Sequence, residues 1–162
     1  MVTNKGGIKI RRMTQADLAK VIDIDQSLSG LQRVPTWPFS FESYWAVYRP
    51  ELSFVAEING DIVGFVVGNI VQDEHSQSIF GLRHTGEPTS RHRWIGWIDM
   101  IGICPEHQHK GIGRGLIEAF NTECKRHNAV MRGLAHENDE VLKKFLSSLG
   151  FKRSDVAIYE KE

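Results

Sequence analysis

The sequence predicts a mixed α/β domain, helices packed on an α+β mixed sheet, and three observations carry that expectation. Residues 94–103 form an apolar run with β-branched members, the pattern of a buried strand, and Pro105, which cannot donate to a ladder, ends it. Gly111, Gly113 and Gly115 follow directly and open a helical pattern, with Leu116, Ile117, Phe120 and Cys124 on one face. Around this centre, alternation and helical periodicity interleave in the order β-α-α-β-β-β-α-β-α-β.

Taken from the start, residues 1–6 read as a loose tail, and Ile8 and Ile10 alternate with Lys9 and Arg11 as a first strand. Thr14 with Asp17 marks a helix start, after which Leu18, Val21, Ile22 and Leu28 form an apolar face up to Gly30. Residues 31–40, with Pro35 and Pro38, form a loop. Ser40 caps a short helix carrying Phe41, Trp45 and Tyr48, which Pro50 stops. Residues 52–57 and 62–71 read as strands joined by an Asn59-Gly60 hairpin turn. The polar stretch 72–93 is an insertion, long for a hairpin connection, with Ile79, Phe80 and Leu82 packing part of it down. After the glycine turn and its helix, 129–135 reads as a strand with an irregularity at Gly133. Asn138 or Asp139 then caps a helix with Val141, Leu142, Phe145, Leu146 and Leu149 inward and Gly150 at its end. Residues 151–159 close the chain with one or two edge strands.

Length and composition bound the class. With 162 residues, 41% hydrophobic and 25% charged, the chain suits a single domain over 1–162 with a proper core. Its 20 basic and 20 acidic residues cancel, which argues against a nucleic-acid or membrane partner. No apolar run approaches the roughly 20 residues of a membrane span, and Lys5 is followed by no secretion-signal segment. Cys104 and Cys124 read as reduced core residues, so a cytoplasmic protein is expected. A homodimer is allowed.

A strand feeding a glycine-rich turn that opens a helix is an anion site. First-turn N–H groups lack intrahelical partners, the helix dipole is positive there, and glycine removes the Cβ that would keep a phosphate away. Lys110 and Arg114 add positive charge. A Walker loop would require a lysine and then a hydroxyl residue closing the turn, and a Rossmann turn a glycine where Leu116 stands. What does match is Gln108-x-x-Gly111-x-Gly113, preceded by Ile101-x-Ile103-x-Pro105. This resembles the central motif of the GNAT superfamily of N-acetyltransferases, whose (Gln/Arg)-x-x-Gly-x-(Gly/Ala) turn holds the coenzyme A pyrophosphate. The element order fits that fold too, so the resemblance covers nearly the whole chain apart from the tail and the 72–93 insertion.

The resemblance implies acetyl-CoA as donor substrate, an amine acceptor, and central strands splayed to admit coenzyme A. Backbone amides of His109, Lys110, Gly111, Ile112, Gly113, Arg114 and Gly115 would cradle the pyrophosphate, with Gln108 orienting the loop. The free edge of Ile101, Gly102 and Ile103 would pair with the pantetheine arm, Gly102 fitting close backbone approach. A backbone amide near Met100 or Ile101 would face the acetyl oxygen. Asn138 matches a family asparagine that touches pantetheine; otherwise it is a plain helix cap.

An amine of ordinary pKa, about 10.4, must lose a proton before it attacks. The favoured glutamate position of the family falls near Trp97, and the only acid on the strand is Asp99, the candidate general base. His136 is the weaker alternative. The family tyrosine that protonates the leaving thiolate is replaced by Leu146, which leaves water, Ser147 or Tyr159 for that role. His107-x-His109 has no third ligand nearby, so no metal is expected. Arg83, His84, Arg91, His92 and Arg93 suit a solvated loop better than an acidic ligand. The family's acceptor site maps to 30–43 and 72–93, where Trp37 and Phe39 either wall it or pack the loop. The expected activity is acetyl transfer to a primary amine of a small molecule, peptide or protein by direct attack. An acyl-CoA-binding sensing or regulatory module of the same fold is the alternative, and a nucleotide-phosphate binder fits the glycine spacing poorly.

Overall fold

Among the described residues six strands form one sheet in chain order: β1 (Val2–Thr3), β2 (Ile8–Arg12), β3 (Leu52–Ile58), β4 (Asp61–Gln72), β5 (Trp94–Ile103) and β6 (Ala129–Gly133). This is a computed structural model, and it describes residues 2–3, 7–29, 41–48, 52–72 and 94–153. Gly30, the loop with Pro35 and Pro38, Ser40, Pro50, the rest of the insertion and residues 154–159 of the expected final strand lie outside them, while Phe151, Lys152 and Arg153 are described and form no strand. Neighbouring strands are antiparallel up to β5, which pairs with β6 in parallel. Asn59 and Gly60 both adopt positive φ, 53° and 90°, the geometry that closes a two-residue hairpin between β3 and β4. A parallel pair needs a crossover, and helix α3 (Ile112–Arg126) supplies it.

Helices cover both faces. On one, α1 (Leu18–Ser29) and α2 (Phe41–Tyr48) bury Val21, Ile24, Leu28, Phe41 and Tyr44 against Val55, Phe65, Val67 and Met100. On the other, α3 buries Ile112, Leu116, Ile117, Phe120 and Cys124 against Phe54, Val66 and Ile98, and α4 (Glu140–Ser148) adds Phe145 at its margin. Phe41 meets Phe65 edge-on at 5.3 Å, which pins α2 over β4. Cys104 and Cys124 belong to cores on opposite faces of the sheet and are both free thiols.

The first helix has a polar hinge. Asp17 accepts from the Thr14 N–H at 2.7 Å and its hydroxyl at 2.9 Å, closing a 3-10 turn (Gln15–Asp17) that leads into α1. The Arg11 guanidinium grips the same carboxylate from β2 through two hydrogen bonds, at 2.7 and 2.8 Å, and reaches Glu57 of β3 at 2.6 Å. The Asp17 carboxyl is held well below the ordinary range by Arg11, against its burial. Glu57 is pushed up by burial, but its bonds from Arg11 and Lys9 outweigh that and hold it low.

Three expectations need correction. Val2–Thr3, expected inside a loose tail, pairs with Ile10 and Lys9 as an edge strand. Strand β6 stops at Gly133 rather than running to Ala135, because its partner β5 bulges directly beyond the last pair, Ile98 with Gly133. Val141, expected inward, is 79% exposed in the first turn of α4, and Phe145 and Leu149 further along are the two that pack on the core. No helix among the described residues is long and apolar enough to cross a membrane.

Candidate active site

Strand β5 has a full partner on one side only. Against β4 the register runs from Trp94 with Gln72 to Ile103 with Gly64, and it shifts between Gly68–Ile98 and Val67–Met100. Asp99 is the residue left over, the extra residue of a β-bulge. On the other side, pairing with β6 ends at Ile98. Residues 99–103 therefore present a backbone edge that no strand among the described residues covers. The bulge also changes which way the strand faces. Ile98 packs in the α3 core, and so do Ile101 and Ile103, an odd-numbered step that strict alternation forbids.

The bulge places the Asp99 carboxylate under α2. Its Oδ2 accepts a hydrogen bond from the hydroxyl of Tyr44, a fully buried residue of that helix. Burial pushes the Asp99 carboxyl up to about 6, with the Tyr44 bond pulling the other way. At neutral pH the group is thus mostly ionised yet close to its midpoint, the condition a proton acceptor needs. Met100, next in the chain, buries its side chain in the same core. At Gly102 a Cβ would lie 2.6 Å from Phe65 and 2.9 Å from Leu28, so its lack of a side chain admits the α1 core.

Beyond β5 the chain turns into α3 in a fixed way. The Cys104 N–H donates to the Val63 carbonyl at 2.9 Å, and a 3-10 turn (Pro105–His107) follows. Gln108 Nε2 then donates back to the Ile103 carbonyl at 3.2 Å, tying the turn to the strand end. His109 and Gly111 both take positive φ, 59° and 81°. Gly111 is the N-cap of α3, no side chain caps the helix, and nothing lies within 4 Å of a Cβ built there. An uncapped helix start facing open space, with exposed Lys110 and Arg114 beside it, fits a pyrophosphate. Lys110 Nζ meanwhile donates to the Glu106 carbonyl at 2.8 Å. Gly113 differs from Gly111: its Cβ would stand 3.0 Å from the Phe145 ring, so this glycine lets α4 seat against α3. Where β6 ends, His136 and Asn138 are both exposed, and the Asn138 N–H donates to His136 Nδ1 at 3.2 Å. The N-cap of α4 is Asp139, accepting from the Leu142 N–H at 2.8 Å, so Asn138 is not the cap.

The sequence matches the acetyltransferase (GNAT) family over residues 21–151. The chain belongs to that family. The enzyme class expected from the sequence, N-acetyltransferase, holds with it. Among curated proteins none matches this sequence. Solved structures share the fold at low identity. Aminoglycoside 6'-N-acetyltransferase AAC(6')-IG from Acinetobacter haemolyticus is 17% identical with a TM-score of 0.69, covering 95% of this chain and 97% of its own. AAC(6')-Iy, in complex with the bisubstrate analogue CoA-S-monomethyl-acetylneamine, is also 17% identical, with a TM-score of 0.69 and coverage of 96% and 97%. A ribosomal-protein-alanine N-acetyltransferase from Brucella melitensis is 18% identical, with a TM-score of 0.68 and coverage of 96% and 98%.

In this GNAT chain the expected site residues fall on one continuous path. Asp99, Met100 and residues 101–103 line the open edge of β5, and Gln108 with 109–115 continues from it into α3. His136 and Asn138 sit in the loop that leaves β6 just where β5 opens. Among the described residues no group of three or more His, Cys, Asp or Glu gathers as a metal site would require. The cluster from Arg83 to Arg93, Trp37, Phe39 and Tyr159 lie outside the described residues. Sequence reasoning missed Tyr44. Its signal was the helical spacing of Phe41, Tyr44 and Trp45, which puts Tyr44 on the buried side of α2.

Proposed function

We propose that this acetyltransferase moves an acetyl group from acetyl-CoA, its donor substrate, to a primary amine by direct attack, with Asp99 as general base. The observation that carries the reading is the bulge: it sets a half-buried carboxylate at the point where β5 loses its second partner, on the strand that runs through the glycine turn to an uncapped helix start. Acetyl-CoA supplies an activated acetyl group and a thiol leaving group. The amides of 109–115, with Lys110 and Arg114, would hold its pyrophosphate, Gln108 keeping the turn in place. The edge at Ile101, Gly102 and Ile103 would take the pantetheine arm as an added strand, with Asn138 beside it, and the Met100 amide would face the acetyl oxygen.

Asp99 takes one proton from the incoming ammonium group and returns it to solvent. The neutral nitrogen then bonds to the acetyl carbon as the carbon–sulfur bond breaks, and the nitrogen's surplus proton ends on sulfur. No tyrosine stands at Leu146 to deliver that proton, so solvent carries it. Aminoglycosides and N-terminal alanine peptides are the first acceptor classes to try, since proteins of this fold carry those names. We take the chain to be one cytoplasmic domain without nucleic-acid or membrane partners, in keeping with its balanced charge.

The test is thiol release from acetyl-CoA across an amine panel holding an aminoglycoside, an N-terminal alanine peptide, lysine and a polyamine. Turnover with at least one amine, reduced about 10²–10⁴-fold in kcat/KM by Asp99→Asn at pH 7, is the expected result. Calorimetric binding of acetyl-CoA without release for any amine would favour the sensing module instead.

A further inference from the structure

Among the described residues, the second helix of the fold places a polar side chain, Tyr44, in the core beneath the bulge, and it bonds to Asp99. Tyr44 is fully buried, its ring 6.2 Å from that of Phe41, and its hydroxyl donates to Asp99 Oδ2. We infer that Tyr44 is a positioning residue of acceptor deprotonation: it fixes Oδ2 of the Asp99 carboxylate, leaving Oδ1 as the oxygen that takes the amine proton. This rests on Asp99 being the base, as proposed above.

Among the described residues, the core around the pair is apolar. Val21, Ile24 and Leu28 from α1, Phe41 from α2, and Phe65 and Val67 from β4 fill the same core, and none of them is titratable. Cys104, packed at its rim, is a thiol whose pKa burial raises, so it is neutral where Asp99 titrates. Among the described residues burial and the Tyr44 hydroxyl are what act on the carboxyl, in opposite directions. Without that donor the carboxylate would hold its proton to higher pH and be less ionised at neutral pH. The hydroxyl opposes that shift by bonding to the charged form. It also fixes the side-chain torsion of a bulge residue, whose backbone alone would leave the carboxylate several orientations.

The experiment reads the carboxyl directly. In protein labelled with ¹³C-aspartate, the Asp99 carboxyl resonance, assigned by its loss in Asp99→Asn, should titrate near pH 6. Tyr44→Phe keeps the ring and removes the donor, so the midpoint should rise by about one pH unit. Replacing the protein's 3 tyrosines with 3-fluorotyrosine acidifies the hydroxyl and should lower the midpoint, a shift of opposite sign in a chain that keeps every ring. With the best amine of the panel, Tyr44→Phe should move the acidic limb of kcat/KM upward with the carboxyl, lowering kcat/KM about tenfold at pH 5 but only about twofold at pH 7. The loss should be recovered at high pH and the KM for acetyl-CoA unchanged. In an Asp99→Asn background, adding Tyr44→Phe should cost nothing more. A midpoint unmoved by both replacements, or a limb that stays in place while the melting temperature falls, overturns the role of Tyr44 and reduces it to packing. Wild-type kinetics in Asp99→Asn would instead overturn Asp99 as the base, and that result is distinct from either of these.

Discussion

Asp99 costs the fold something that its position explains. Burial raises the folded carboxyl to about 6, whereas an unfolded aspartate titrates at about 3.9. Between those two values the folded chain binds the extra proton, so stability declines as pH rises through that window and the full cost is present above it. At about 1.4 kcal/mol per unit, the ionised group costs on the order of 3 kcal/mol at pH 8. Asp99→Asn keeps an acceptor for the Tyr44 hydroxyl and removes that cost. Its stability to urea should therefore exceed wild type by about 2–3 kcal/mol at pH 8 and by little at pH 4, while activity is lost. An equal gain at both pH values would mean the carboxyl is not desolvated in the way the bulge implies. Asp99 could be read in the sequence because it is the single acid on an apolar strand. Tyr44 could not be matched to it, because the pair spans two elements distant in the chain and depends on a bulge. Nothing in Trp97-Ile98-Asp99-Met100 says which residue loses its partner.

At the scale of the element, the glycine turn was legible in type and only partly in detail. Strand, turn and helix follow from apolar periodicity broken by Pro105 and the glycines, and they stand where that pattern put them. The glycines looked equivalent in sequence, yet Gly111 is needed for its φ of 81° and Gly113 for the approach of Phe145. Spacing carries no information about which neighbour arrives. The two should therefore part under mutation. Gly111→Glu has room for a side chain but places a carboxylate at an uncapped helix start, so acetyl-CoA affinity should fall at least about tenfold by calorimetry. Part of that fall should be relieved by salt, since screening weakens the repulsion. Gly113→Ala should instead loosen α4, read as faster amide exchange across Glu140–Ser148, an effect absent in Gly111→Glu. Equal exchange in the two variants would refute the division of labour. Val141 shows the same limit from the apolar side, since helical spacing gave it no mark to separate it from Leu142.

The whole molecule joins two cores through one sheet, and its charged groups pull stability in opposite directions along the pH axis. Arg11 ties Asp17 at the head of α1 to Glu57 of β3, and both carboxyls are depressed in the fold. A depressed carboxyl gives stability that is fully present above its unfolded value, about 3.9 for aspartate and 4.3 for glutamate, and that is lost as pH falls below it. Asp99 is raised, so its contribution has the other sign and appears as pH climbs toward about 6. Together they predict a melting temperature that peaks at about pH 4, falling below it as the depressed carboxyls protonate and falling from about pH 4 to 6 as Asp99 ionises. Each limb has its own variant. Asp17→Asn strands the Arg11 guanidinium at a site where the aspartate side chain is only 8% exposed; it should cost about 2–4 kcal/mol at pH 6 and flatten the acid limb. Asp99→Asn should leave the acid limb standing and flatten the decline between about pH 4 and 6. Groups shared by every variant cancel in the differences. Melting curves of the wild type and both variants from pH 3 to 8 decide it. If Asp99→Asn tracks the wild type in parallel between about pH 4 and 6, ionisation of this carboxyl is not what sets that limb.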